Sequence, residues 1–178
     1  MSKLTLSILT VLLGSCLVVI AVNAGENGQP LGWIDFDSII IPSQAAEVTE
    51  INLDSSILGM INLDSDSTTR DIISLRLKTF EIDSTDFEKY KLELEQIDTQ
   101  FSTGIWKRMV RVVKPGEFTS ISFCMNDSHP AGMVILSVDH EEVTVINMVG
   151  VIDLANLDLL GLDDATLDSL QKTLDEEE

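Results

Sequence analysis

The sequence predicts an α+β fold, with helices packed against one face of a mainly antiparallel sheet. One observation is a stripe of apolar residues at helical spacing between residues 85 and 104. Another is a series of four strand-like runs, joined by turn residues, between residues 105 and 149. The length of 178 residues suits one domain, which we expect at residues 47–174.

The elements before the stripe are short. Residues 25–46 read as an extended lead-in, and a first strand follows at about 48–53, where Thr49, Ile51 and Leu53 alternate with polar residues. A short helix is predicted near residues 57–61, a helical turn at 70–74 and a second strand at about 75–82.

The stripe predicts the central helix. Its apolar residues recur at intervals of three and four, namely Phe87, Tyr90, Leu94, Ile97 and Phe101. Thr85 and Glu88 have the spacing of a capping box at the start, and Gly104 stands where the helix should end.

The four runs that follow are 105–113, 117–125, 131–138 and 142–149. The Pro115-Gly116 pair between the first two favours a type II turn. Short turns between such runs predict an antiparallel meander, followed by an amphipathic helix at about 164–174 and an acidic tail at 175–178. The predicted order is therefore β-α-β-α-β-β-β-β-α.

The first 24 residues have the order of a secretory signal. Lys3 precedes an uncharged apolar run from 4 to 22, and small residues end at Ala24, after which we expect cleavage. Two alternatives stay open, an uncleaved membrane anchor and a lipoprotein acylated at Cys16. All three place the domain outside the cytoplasm, in a bacterial periplasm, envelope or exterior. They also limit membrane attachment to the leader or its lipid.

The charge balance restricts the partners. The chain has 30 acidic and 11 basic residues, for a net charge of −19. A nucleic acid needs a basic surface, so nucleic-acid binding is not expected. The acidic surface instead suits another envelope protein with a basic face. Removal of the leader leaves Cys124 alone, so no internal disulfide is expected.

The basic residues are unevenly placed. Residues 25–69 hold eight acids and no base, whereas Lys107, Arg108, Arg111 and Lys114 crowd one predicted strand. These four could form an anion-binding or docking strip. The more ordinary interpretation is that they compensate nearby acids and protect an exposed strand edge.

No metal motif is complete. Asp64, Asp66 and Thr68 resemble the start of a calcium loop, but Thr69 and Leu75 stand where an EF-hand needs Gly and Glu. Four acids recur every five residues, a period that matches neither helix nor strand; they are Asp153, Asp158, Asp163 and Asp168. His129 and His140 fall in consecutive turns, at opposite ends of a meander. We therefore predict no metal site and no cofactor.

No catalytic residue is predicted either, because the common hydrolase, zincin and nucleotide-binding signatures are absent from the sequence. Trp106, Asn147 and Gly150 read as architectural, and a buried Asn147 would need backbone partners for its amide. The sequence thus favours a non-catalytic interaction or binding module. The alternative is a hydrolase or small-ligand carrier whose site is assembled only in the fold.

Several short segments, in order, resemble one family. They are residues 32–36 and 48–53, Trp106 with 110–113, residues 132–138, and the run Val-Ile-Asn-Met-Val-Gly-Val-Ile-Asp-Leu at 145–154. Over residues 31–162 the chain resembles the exported bacterial proteins known as domain of unknown function 4252. The resemblance implies an envelope location, and it brings no activity, cofactor or catalytic residue.

Overall fold

The computed structural model describes residues 28–36, 47–61, 72–127 and 129–152. Within these ranges the order of elements is β1 (Val48–Asp54), α1 (Ser55–Ile61), β2 (Ile72–Glu81), α2 (Phe87–Asp98), β3 (Trp106–Lys114), β4 (Glu117–Asn126), β5 (His129–Val138) and β6 (Glu142–Gly150). Short 3-10 turns flank α2 at Ser84–Asp86 and Thr99–Ser102. None of the helices in these ranges is long and apolar enough to cross a membrane.

The six strands form one antiparallel sheet in the order β1-β2-β6-β5-β4-β3. Strands β3 to β6 are the predicted meander, since each pairs with its neighbour in sequence. Strand β2 pairs with β6, which leaves β1 and β3 at the two edges. The antiparallel sheet and the α+β class are therefore confirmed, while the predicted C-terminal helix at 164–174 lies outside the described residues.

Helix α2 packs on one face of the sheet through the predicted stripe. Its buried apolar residues and Phe101 join strand residues in one core cluster, which includes Phe80, Phe118, Val134 and Leu136. The cluster explains why α2 forms, because a helix of 12 residues is marginal without a packed apolar face. Gly104 follows with φ +68°, a left-handed conformation that glycine adopts without strain, as the predicted helix end requires.

The predicted capping box is wrong. Asp83 begins the 3-10 turn before α2, and its Oδ1 accepts hydrogen bonds from the backbone N–H and the hydroxyl of Thr85, at 2.9 and 2.8 Å. These bonds stabilise the charged carboxylate and hold the pKa of Asp83 below its ordinary value of 3.8. Thr85 is thus a donor to the cap, because the 3-10 turn moves the start of the helical segment upstream.

A second apolar cluster lies on the opposite face of the sheet. Its buried members are Val110, Ile121, Phe123, Met133, Ile135, Ile146, Met148 and Ile152, and no helix residue of the described ranges belongs to it. Both faces of the central strands are therefore buried, which explains the near-continuous apolar runs in β4 to β6.

Residues 28–36, read from the sequence as lead-in, contribute to the core. Ile34 and Phe36 are fully buried in the cluster beneath α2. The helical turn predicted at 70–74 is wrong for its last three residues, since β2 already begins at Ile72. The leader at 1–24 and the acidic tail at 175–178 lie outside the described residues.

Candidate interaction surface

The two histidines lie far apart. His129 begins β5 and His140 follows its end, so the length of the strand separates them by about 30 Å. His140 packs against Phe87, with ring centroids 4.9 Å apart, and lies against Gly116 in the β3–β4 turn. The geometry agrees with the sequence argument that these two residues cannot share one site.

The acidic motifs fall outside the described part of the chain. Asp64, Asp66 and Thr68 lie there, as do Asp153, Asp158, Asp163 and Asp168. Among the residues that the structure does describe, no group of three histidine, cysteine, aspartate or glutamate side chains could hold a metal ion. The prediction of no metal site stays a prediction.

The basic strand is β3, one of the sheet edges, and three of its four cations pair with acids of the same chain. Arg108 pairs with Asp98 at 2.7 Å, Arg111 with Glu95 at 2.7 Å, and Lys114 with Glu117 at 3.4 Å. These contacts support charge compensation at an edge strand rather than an anion-binding strip.

Asp98 is the centre of a buried polar cluster between α2 and the sheet. Its side chain is 2% exposed. One carboxylate oxygen accepts from Arg108 Nε and the Ser120 hydroxyl, while the other meets Arg108 Nη2. The neighbouring Ser122 hydroxyl is buried without a hydrogen-bond partner in the described structure. The bonds from Arg108 and Ser120 satisfy the charge of Asp98 and tie the end of α2 to β3 and β4.

A second buried polar group joins residues 28–36 to the sheet. Asn147 is fully buried, as the sequence analysis expected, and all its bonds go to backbone. Its amide nitrogen donates to the carbonyls of Gly32 and Met133, at 2.9 and 3.0 Å, and its oxygen accepts from the Ile34 N–H at 3.2 Å. Arg76 on β2 donates to the Ile34 carbonyl at 2.9 Å.

A small cavity of about 200 Å³ lies beside this segment. Pro30, Leu31, Ile73, His129 and Gly150 are among its lining residues, and most of its wall is apolar. Pockets for drug-sized ligands commonly enclose about 300–1,000 Å³. The cavity therefore does not define a ligand site.

Strand β1 differs from every other strand because it is exposed on both faces. Six of its seven residues are exposed, and only Leu53 is half-buried. The strand predicted at about 48–53 is confirmed, but its alternating residues Thr49 and Ile51 are exposed. Within the described ranges β1 pairs with β2 alone, so no further strand lies beside its other edge.

The backbone register shows which polar groups of β1 point outward. The carbonyl of Glu47 accepts a hydrogen bond from the N–H of Glu81 at 3.1 Å. Val48 pairs with Phe80, so Glu47 and Glu81 are directly opposite and form a hydrogen-bonded pair. In an antiparallel ladder such pairs alternate. Thr49, Ile51 and Leu53 therefore bond to β2, and the N–H and C=O groups of Val48, Glu50 and Asn52 point to solvent.

Five exposed apolar side chains lie along β1, on α1 and at the start of β2, with Val48 and Ile51 on opposite faces of β1. We define the β1–α1 surface as the exposed residues Val48, Ile51, Ile57, Met60 and Ile73, of which Met60 is 73% exposed. The same surface carries Glu50 and Asp54 and no basic residue on β1 or α1. Such an edge lacks the lysine, arginine or proline that commonly blocks strand pairing.

Sequence reasoning missed this surface as a site. The available signal was the basic-free stretch from 25 to 69, which contains all of β1 and α1. This stretch indicates an interaction surface only if β1 is an edge strand, and the order of the strands in the sheet decides that.

The fold and this surface define a small α+β domain in which β1, an edge strand of the described sheet, is mostly exposed. A comparison with known families identifies the family of this domain. The model of the family described as "Domain of unknown function (DUF4252)" matches residues 43–160, and the chain belongs to that family. The matched span begins after the 32–36 segment, so that part of the resemblance lies outside it. No curated protein and no solved structure matches the chain.

Proposed function

We propose that this protein acts outside the cytoplasm as a non-catalytic interaction module, and that its partner is another envelope protein with a basic face. Export is supported by the order of the first 24 residues, with Lys3, an apolar run and small residues up to Ala24. The acidic surface supports a basic partner, because the chain carries a net charge of −19.

The observation that carries the proposal is the β1–α1 surface. Exposed apolar side chains scattered singly are ordinary, but a group of them on one edge of a sheet marks an interaction site. Five of the nine large hydrophobic residues that are exposed in the described part belong to this surface. The other edge of the sheet, β3, instead carries four cations.

The alternative of a hydrolase or small-ligand carrier has less support. Ser120, which donates to Asp98, pairs with Leu136 on β5, four residues before His140 and seven after His129, so neither histidine is adjacent to this acid–hydroxyl pair. The apolar cavity near Pro30 is also smaller than usual ligand pockets. No observation in these ranges favours a reaction.

Affinity capture from the native envelope tests the interaction. The full-length protein is cross-linked to its neighbours at low and at high salt, beside a double variant Ile57→Ser, Met60→Ser that makes α1 polar. Leu92→Ser is the matched control, because Leu92 is 57% exposed on α2, away from this surface. We expect a specific partner that is retained by the control and lost from the double variant.

Salt should also weaken the capture, since screening reduces attraction between exposed charges. Capture of the same partner by the double variant would contradict the proposed surface. Turnover of a hydrolase substrate that vanishes on one Ser, His or Asp substitution would contradict the non-catalytic role. Export is checked separately by N-terminal sequencing of the protein from the envelope fraction, where Gly25 is the expected first residue.

A further inference from the structure

We propose that β1 binds its partner by strand addition, and that the added segment is extended, with basic and apolar residues in alternation. This inference rests on the proposed interaction function and names the geometry and chemistry of its partner. Strand addition obtains affinity from backbone hydrogen bonds and specificity from alternate side chains.

The backbone of β1 is prepared for such pairing. The outward N–H and C=O groups belong to Val48, Glu50 and Asn52, by the alternation that starts at the Glu47–Glu81 bond. They extend along a strand of seven residues, which is slightly longer than the usual strand of about five or six. Neither proline nor lysine interrupts it, so the backbone of a second strand can approach, and Glu50 is a charge that this strand must pair.

The side chains of β1 specify the two faces of the incoming strand. Glu50 lies on the face that carries α2, as shown by its register with Lys78 and by Asn52, which accepts a hydrogen bond from Arg76. Ile51 lies on the opposite face, in register with Leu77 of the second apolar cluster. Directly opposed side chains on one face interact favourably when their charges are opposite or when both are apolar. The partner therefore places a lysine or arginine beside Glu50 and an apolar residue beside Ile51.

A second copy of this chain fits the edge poorly. Pairing β1 with another β1 would bring the acids Glu50 and Asp54 of both copies together, and like charges across strands are destabilising. Strand β3 is basic, but Arg108, Arg111 and Lys114 are already engaged with acids of their own chain. The chemistry thus favours a different protein that supplies a basic strand.

The first test uses a short synthetic peptide of alternating valine and lysine as the probe. Its matched controls are a valine–glutamate peptide and a peptide of the same valine and lysine content with the lysines in one block. Hydrogen exchange of the full-length protein is followed by NMR. The alternating peptide should slow exchange at the Val48, Glu50 and Asn52 amides, whereas the Thr49 and Ile51 amides already bond to β2. Uniform slowing, or none, would overturn strand addition.

The second test separates backbone pairing from charge. Glu50→Pro removes an outward N–H and should leave the β1–β2 ladder intact, because proline is tolerated at an edge where its nitrogen faces solvent. Glu50→Gln removes only the charge. We expect Glu50→Pro to weaken peptide binding at least about tenfold, and Glu50→Gln to lower the affinity less and flatten its salt dependence. Glu141→Gln, an exposed acid in the β5–β6 turn, should change neither.

The outcomes distinguish this inference from the function on which it depends. If envelope capture succeeds and Glu50→Pro binds the same partner as tightly as the native chain, strand addition is wrong and the interaction module stands. If the alternating peptide binds with the expected exchange pattern but no envelope partner is captured, the edge is confirmed and the proposed function fails. Dimerisation through β1, seen as a concentration-dependent mass lost in Glu50→Pro, would replace the basic partner with a second copy.

Discussion

The side-chain oxygen of Asn147 accepts a hydrogen bond from the backbone N–H of Ile34, at 3.2 Å and across 113 residues of sequence. The same amide donates to Gly32 and Met133, so one side chain joins residues 28–36 to β5 and β6. An amide is tolerated in the buried centre of β6 because its oxygen and both of its N–H donors have hydrogen-bond partners.

Replacement of Asn147 by leucine should therefore destabilise the fold. Leucine has the same branching and the same number of side-chain heavy atoms, but it gives no hydrogen bond to the Ile34 N–H or to the Gly32 and Met133 carbonyls. Each unsatisfied buried group costs about 1–3 kcal/mol, so we expect a loss of several kcal/mol in the free energy of unfolding. Thermal and urea melts measure it, and Asn126→Leu, at an exposed position, should melt near the native chain. A native-like melt of Asn147→Leu would refute the role of this side chain.

Gly132 is required by a close backbone approach. A Cβ at this position would lie 2.8 Å from the Cα of Gly32, which real contacts essentially never show. Gly132→Ala should displace residues 28–36, lower the unfolding free energy by about 1–3 kcal/mol and change the fluorescence of Trp33. The control is Gly59→Ala in α1, where a Cβ meets nothing within 4 Å and alanine should stabilise the helix by about 0.5–1 kcal/mol. Equal melts for the two variants would show that the glycine contact is dispensable.

Neutralisation of Asp98 should lower the free energy of unfolding. Asp98→Asn removes the negative partner of Arg108 in a place where the carboxylate is 2% exposed. Breaking a buried ion pair typically costs about 3–5 kcal/mol, because one charge is left uncompensated. Glu88→Gln removes an exposed pair with Lys91 instead, and it should change stability by less than about 1 kcal/mol. Chemical denaturation compares the two, and similar midpoints would contradict a structural role for Asp98.

Cys124 should be unreactive in the folded protein. Burial disfavours the thiolate and raises the pKa of Cys124 from 9.0 to about 11. The unfolded chain loses this proton near pH 9, so the protonated thiol stabilises the fold fully below that value, and this contribution falls as the pH rises to about 11. In a Cys16→Ser background, a thiol reagent at pH 8 should label the protein only after denaturation. Rapid labelling of the folded chain would place the thiol at the surface.

Local patterns in the sequence predicted most elements closely. The run at 117–125 is β4 at Glu117–Asn126, and the stripe beginning at Phe87 is the buried face of α2. The Pro115-Gly116 turn is also confirmed in outline, since Gly116 has the positive φ of +79° that a type II turn requires at its third residue. These features depend on side-chain periodicity and turn chemistry within a few residues, which the sequence displays directly.

The candidate surface could be predicted only in part. The absence of basic residues from 25 to 69 was visible, and so was the apolar alternation around Ile51. Alternation normally indicates one buried face, but at β1 it indicates an exposed edge. The difference arises because a strand buries a face only if another layer covers it, and coverage depends on residues far away in sequence.

The sequence by itself determined the acidic charge, the α+β class and the antiparallel meander, because composition and short-range periodicity encode them, and it predicts the leader. The tertiary structure decided that β2 lies beside β6, that β1 is an edge strand of the described sheet, and that Gly32 rests on Gly132. Each of these is a contact between segments separated by tens of residues. Such contacts form where the burial of apolar surface and the pairing of polar groups are satisfied together, and no local pattern carries that information.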